Sequence, residues 1–319
     1  MPNTFSSFMV TAVVSSTIVC DAAIAQDYPQ RPIRIVTAAA GAGSDFNARQ
    51  IAQAIAGPLG QPVVIDNRTA LLAAEVVAKA PPDGYTLMVG SDSFWTISLL
   101  RKTSYDPVQD FSPVSLVSRE ISAVVVHPSL PVKSVKELIA LAQSRPGQLT
   151  FSSTPPGSGP NFAGQLFKSM AGIDIVIVSY NGGLPAITAL VAGETQLSIP
   201  SASSAIPHVR SGKLRALAVT SLQPSALMPG LPTVAASGLP SYEIVSVTGV
   251  FAAARTTSAI LSRLNREIVR ALEQPELKER FLLSGMEAFS STPDQLGGAM
   301  KASIAMLSKM IKEANIKVD

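Results

Sequence analysis

IVTAAAGAGSDFNARQIAQAI, residues 35–55, passes from an apolar β-branched run through a turn of small residues into a segment whose apolar residues recur at helical spacing. Strand, turn and helix in that order begin a β-α-β unit, which places the turn beyond the carboxyl end of a strand and at the start of a helix. The unpaired amides and the positive dipole end found there suit an anion. Ser44 or Asp45 is the expected helix cap. Gly41 and Gly43 invite comparison with a dinucleotide fingerprint, but the third glycine of that motif would fall on Phe46, so no nicotinamide or flavin cofactor is expected. On pattern alone the turn is either an anion site or a plain connection.

Working outward, the same alternation continues. PIRIVTAA (32–39), QPVVIDN (61–67), YTLMVGS (85–91), SAVVVHPS (122–129), LTFSST (149–154), DIVIVSY (174–180), TQLSIPS (195–201), LRALAVTS (214–221) and VTGVFAAA (247–254) read as strands bounded by Gly, Pro, Asn or Ser. Helical patterns separate them, over 45–60, 73–82, 134–147, 161–172, 183–194 and 203–213, and from about Ser258 the chain is nearly all helix. Ser134 with Glu137 forms a capping box, and Gly147 a stop. This order predicts α/β architecture with mostly parallel sheets flanked by helices, in two lobes joined by more than one chain crossing. The Pro-rich stretch SLQPSALMPGLPTVAASGLPSYE (221–243) reads as one exposed crossing.

Composition narrows the function. The chain has 319 residues, 47% hydrophobic and 15% charged, with a net charge of only +3 and scattered Lys and Arg, so nucleic acid is not an expected partner. Residues 1–26 read as a signal peptide: an apolar run from Phe8 to Val19, then Ala23-Ile24-Ala25 as a small-x-small cleavage pattern. The mature chain is then exported, and loss of Cys20 with the leader removes the one thiol, which suits a periplasm. His127 and His208 are the only histidines and stand far apart, so no metal is expected. G-x-S-x-G is absent, and the strand ends carry Ala, Ser, Thr and Gly in place of paired acids, so the chain does not read as an enzyme.

YPQRPIRIVTAAAGAGSDFNARQIAQAIAGPLGQPVVIDNR, PPDGYTLMVGS, YDPVQDFSPVSLVS, IVSYNGGLPAITALVAGE, SGKLRALAVTS and LPTVAASGLPSYE, in that order, resemble the extracytoplasmic solute receptors of tripartite tricarboxylate transporters, the Bug receptors. The resemblance covers essentially the whole mature chain. It implies a two-lobed periplasmic binding protein (type II-like), lobe 1 being 27–125 with 246–319 and lobe 2 being 126–245. It further implies a monomer that closes on a small carboxylate and delivers it to membrane permease subunits. Two loops, Ala39 to Asp45 and Ser153 to Asn161, would hold the ligand. Carried over, the site residues are Ala40, Gly41, Gly43, Ser44 and Asp45; Thr69, Ser91, Phe94 and Trp95; Ser153, Thr154, Gly157, Ser158, Gly159 and Asn161; and Gln196 and Pro200. Asp45 would orient its loop and cap its helix without meeting the anion.

The chain departs from the family pattern in three places. After Asn67-Arg68 the short TALLAAE replaces a longer Gly-rich loop; the family often has an acidic residue where Gln196 stands and another near Pro200; and Phe94-Trp95 replaces small or polar residues. That aromatic pair would either stack on an aromatic acid at the cleft mouth or serve core packing. The altered loops also motivate a second expectation, a ligand sensor that presents its closed form to a membrane sensor kinase.

Overall fold

The computed structural model describes residues 28–155 and 158–313, so the leader predicted over 1–26 lies outside the described residues. Strand β1 (Ile33–Thr37) pairs in parallel with β2 (Val63–Asn67) on one side and β3 (Thr86–Ser91) on the other. Helix α1 (Gly43–Leu59) makes the first connection and α2 (Ala70–Ala78) the second. Because successive strand residues point to opposite faces, Ile33 and Ile35 enter one core and Val36 the other. Beyond β3 lie α3 (Ser93–Leu100) and β4 (Phe111–Ile121), then, much later in the chain, β10 (Val245–Ala253) and the short β11 (Glu287–Ala288). The six-stranded sheet runs β11-β4-β10-β3-β1-β2.

A second sheet holds β5 (Ala123–Val126), β6 (Thr150–Ser153), β7 (Val176–Ser179), β8 (Leu197–Ser198) and β9 (Arg215–Val219) in the order β7-β6-β8-β5-β9. Its helices are α4 (Val135–Ser144), α5 (Gly159–Ala171), α6 (Gly183–Val191) and α7 (Ala202–Arg210). Three helices then return to the first sheet. Helices α8 (Ser258–Leu272) and α9 (Pro275–Leu283) cover the Ile33–Ile35 face, and α10 (Pro293–Glu313) covers the opposite one.

The chain crosses between sheets twice. Strand β4 passes into β5 through Ser122 alone, and the return from β9 to β10 runs through 220–244. Thr220 ties the crossings together: its Oγ accepts from Ser122 N at 2.9 Å and lies 3.0 Å from the Ser122 carbonyl and 2.6 Å from that of Ile244. Away from the crossings, Phe162 at the start of α5 clusters with Leu307 and Ile311 of α10, with Leu99 and Leu100 of α3 packed against the group, a contact between the two halves.

Both sheets are mixed, parallel through β2-β1-β3 and β7-β6-β8 and antiparallel elsewhere. A strand leaving one sheet and the strand returning to it lie side by side in opposite senses, which is why β4 and β10 break the parallel run. Strand β4 and helix α3 are absent from the sequence-based assignment. FSPVSLVSREI carries Pro113 and three serines, and two bulges in its pairing with β10 erase clean alternation.

Candidate functional site

The turn after β1 is built by a left-handed residue and a reaching carboxylate. Gly41 sits at φ +85°, a conformation L side chains rarely adopt, and its amide donates to Asp45 Oδ2 at 2.9 Å. Asn67 Nδ2 donates to Asp45 Oδ1 at 2.8 Å and to the Ala38 carbonyl at 2.7 Å, and Arg49 Nε donates to Asp45 Oδ2 at 3.1 Å. Asp45 is 4% exposed. Burial pushes its carboxyl up, but the bonds from Asn67, Arg49 and Gly41 outweigh that and hold it below the usual carboxylate range. The helix cap differs from expectation: Ala42 is the N-cap and supplies no side chain, and Ser44 and Asp45 lie inside the first turn. Gly43, Ser44 and Asp45 therefore have amides with no intrahelical acceptor at an end whose N-cap residue supplies no side-chain bond, although the Asp45 carboxylate stands in the same turn.

A small hollow with a cavity volume of about 30 Å³, open in part to solvent, lies beside this end. Ala38 and Ser44 form one wall, Ala70 and Ala73 of α2 another, and the carboxyl end of β3 (Met88, Val89, Gly90, Ser91) the floor. Ser93 and Phe94 of α3 complete it. Helix α3 is ~12 Å long; its first residues line the pocket and its last, Leu99 and Leu100, pack against the cluster of Phe162, Leu307 and Ile311. Ser44, Ser91 and Phe94 thus line one hollow, joined by Ala38, Ala73, Met88, Val89, Gly90 and Ser93, which the sequence reading did not name. Ala40 is exposed and does not line the pocket.

Other predicted positions have different work. Trp95 is 1% exposed within a ring of aromatics that includes Phe94, Phe111 and Phe251, and its Nε1 donates to Ser303 Oγ at 3.1 Å, so the cleft-mouth stacking reading does not hold for it. Phe94 belongs to the same cluster and shows the pocket only its surface. Thr69 caps α2, accepting from Leu72 N at 3.3 Å. Gln196 is displaced to the wrong end of its sheet. Its Oε1 accepts from Thr150 N and Oγ, both at 2.7 Å, at the amino end of β6, whereas Pro200 lies near the carboxyl ends, ~13 Å farther along the strand direction.

In the second loop Ser153 turns its hydroxyl to the Thr154 carbonyl, and the Thr154 and Ser158 hydroxyls bond each other at 2.6 Å. Ser158 is the N-cap of α5 without a side-chain cap bond, Gly159 is exposed, and Asn161 is 3% exposed. Gly157 lies outside the described residues. None of these second-loop residues lines the pocket, which the first half of the molecule walls alone.

Asp92, between the two pocket serines, is a group the sequence reading passed over. Its Oδ1 accepts from Ser246 Oγ at 2.8 Å, and Ser246 stands opposite Glu120 in the β4–β10 register. Glu120 in turn accepts from Ser203 Oγ of α7 at 2.9 Å, so this polar cluster spans both halves. Burial first, and the Glu120 charge beside it, push the Asp92 carboxyl up to about 6, against the bonds from Ser246 and the backbone of Ser93 and Val247. Among the described residues there is no group of three or more His, Cys, Asp or Glu that could hold a metal, and no helix long and apolar enough to cross a membrane.

Two α/β halves joined by two crossings, with a pocket at the carboxyl ends of the strands, define the architecture of the periplasmic binding proteins. A TctC solute-binding protein from Polaromonas, solved without ligand, shares that fold at TM-score 0.83 over 90% of this chain and 99% of its own, at 22% identity. A model of the tripartite tricarboxylate transporter family receptor matches residues 47–316, and the chain belongs to that family as one of its solute-binding receptors. Protein BugT of Bordetella pertussis is 32% identical over 318 residues, 98% of this chain and 96% of its own. Among solved structures, R. palustris Rpa4515 with adipate is 33% identical at TM-score 0.71, covering 91% of this chain and 99% of that one. MatC from Rhodopseudomonas palustris with bound malate is 29% identical at TM-score 0.66, covering 89% and 100%.

Proposed function

We propose that the protein captures a small carboxylate between its two lobes and passes it to the membrane permease of a tripartite tricarboxylate-type transporter, acting as a monomer in the periplasm after removal of residues 1–26. Lobe 1 is taken as 27–125 with 246–319 and lobe 2 as 126–245, hinged at the crossings around Ser122 and Thr220. The observation that carries this reading is the α1 N-terminus: amides of Gly43, Ser44 and Asp45 without helical acceptors, no side-chain bond from the N-cap residue, and a small pocket lined by Ser44. Relatives of similar sequence hold adipate and malate. The second loop would close over the anion from the other lobe, excluding water and strengthening each hydrogen bond.

Ligand-dependent thermal unfolding tests it. A carboxylate at a hundred times its Kd stabilises the folded state by ~2.7 kcal/mol, a shift of several degrees. Ser44→Glu, which places a negative charge at the helix start, weakens binding by about a hundredfold through like-charge repulsion. A panel of mono-, di- and tricarboxylates that leaves the unfolding temperature unchanged overturns the proposal.

A further inference from the structure

The polar cluster at the crossings has no part in the receptor reading so far, and a role for it rests on that reading. We infer that closing the two halves on a ligand takes up a proton from solvent, held by the carboxyl pair Asp92 and Glu120 beside the hinge.

The pair spans three neighbouring strands. Asp92 follows β3, Ser246 lies at the start of β10 and Glu120 near the end of β4, all at the edge from which the chain crosses to the second half. Ser246 Oγ donates to Asp92 Oδ1 at 2.8 Å and stands opposite Glu120 in the register. The second half supplies the cover. Ser203 Oγ, in the first turn of α7, donates to Glu120 Oε1 at 2.9 Å. The same residue abuts Gly285 of the first half so closely that a methyl group added there would collide with Ser203 Cβ. Asp92, Glu120, Ser246 and Ser203 are all half-buried. Charges on the surrounding elements are directed elsewhere. Arg119 pairs with Glu287 at 2.6 Å from the other face of β4, and His208 and Arg210 sit in the last turn of α7. Glu75 of α2 bears on Tyr105, and α10 meets α3 through Ser303 on Trp95.

Two facing carboxylates in a site that loses water on closing cannot both stay ionised cheaply. In the arrangement seen here, burial first and the Glu120 charge after it push Asp92 up to about 6. Parting the halves lifts Ser203 from Glu120 and admits water, which favours the ionised acid. The closed form is therefore favoured by protonation and the open form by ionisation. Binding that closes the protein draws in a proton, and it weakens as pH rises through 6. Neither acid lines the hollow beside α1. Ser91 and Ser93, on either side of Asp92 in the chain, do line it, so the proton is held behind the ligand and not on it.

Titration calorimetry of the purified protein with adipate, malate, benzoate and citrate, at pH 6 in buffers of different ionisation enthalpy, counts the proton. The protein is expected to take up about half a proton more per bound ligand than Asp92→Asn, a difference from which the ligand's own titration cancels. Between pH 5 and pH 8 its affinity relative to that variant falls by about tenfold. Glu120→Gln removes the neighbouring charge and keeps an acceptor for Ser203, so it moves the midpoint of the profile to lower pH, which a purely structural role would not do. Equal proton uptake by the protein and Asp92→Asn, or a midpoint that Glu120→Gln leaves in place, overturns this inference while the receptor reading stands. No heat from any of the four ligands overturns both.

Discussion

Gly41 and Gly43 look equivalent in the sequence but differ in the folded turn. Gly41 is left-handed at φ +85° and Gly43 is an ordinary first helical residue, and a Cβ on either meets nothing within 4 Å. Gly41→Ala is therefore expected to cost ~1–2 kcal/mol through backbone strain alone, and Gly43→Ala to be neutral or slightly stabilising in chemical denaturation. Equal effects would show that the turn relaxes. Asp92 supplies a second test. Its acid is weaker folded, at about 6, than unfolded, at 3.8, so its stabilising contribution is complete below pH 3.8 and is lost as pH rises through 6. Asp92→Asn should then stabilise the protein at pH 8 by up to ~3 kcal/mol, with the gain fading toward pH 4. A gain independent of pH would mean that charge is not its cause. Asp45 runs the other way, its stabilisation present at neutral pH and lost as pH falls below 3.8.

Among the elements, the crossings between sheets depend on one hydroxyl. Thr220 is 0% exposed and serves Ser122 N, the Ser122 carbonyl and the Ile244 carbonyl. Thr220→Val keeps the shape and leaves the Ser122 amide without that acceptor, which is expected to cost ~1–3 kcal/mol in urea unfolding. Thr220→Ser restores the hydroxyl and should recover most of the loss; failure of that rescue would assign the effect to packing. Element identity was legible wherever the apolar period was clean. IRIVT and VVIDN are strands as read, and Ser134 caps α4 by accepting from Glu137 N at 3.2 Å. Strand β4 was not legible, because its serines face partners far away: the Ser115 hydroxyl lies 3.1 Å from the Ser291 carbonyl, 176 residues on.

The whole molecule holds its halves together away from the crossings through Phe162, 3% exposed against Leu307, Ile311, Leu99 and Leu100. Opening the cleft would return those surfaces to water. Phe162→Ala should move the ligand-free protein toward more open forms, with a larger radius of gyration in small-angle scattering and weaker ligand binding, since closure then gains less apolar burial. Unchanged scattering together with unchanged affinity would mean that this contact does not govern closure.

By itself the sequence determined the α/β class, most of the element order, the small-residue turn at a helix start, and Asp45 as the residue that orients that turn. Those features are local, written in spacing, glycine placement and side chains a few residues apart. Only the tertiary structure decided that Trp95 is core, that Gln196 clamps the amino end of a strand, that Asp92 faces Ser246 and Glu120, and which residues wall the pocket. Burial and charge environment arise where segments far apart in the chain meet, as with Trp95 and Ser303, 208 residues apart, and Asp92 and Ser246, 154 apart. Local patterning carries no record of which partner each will meet.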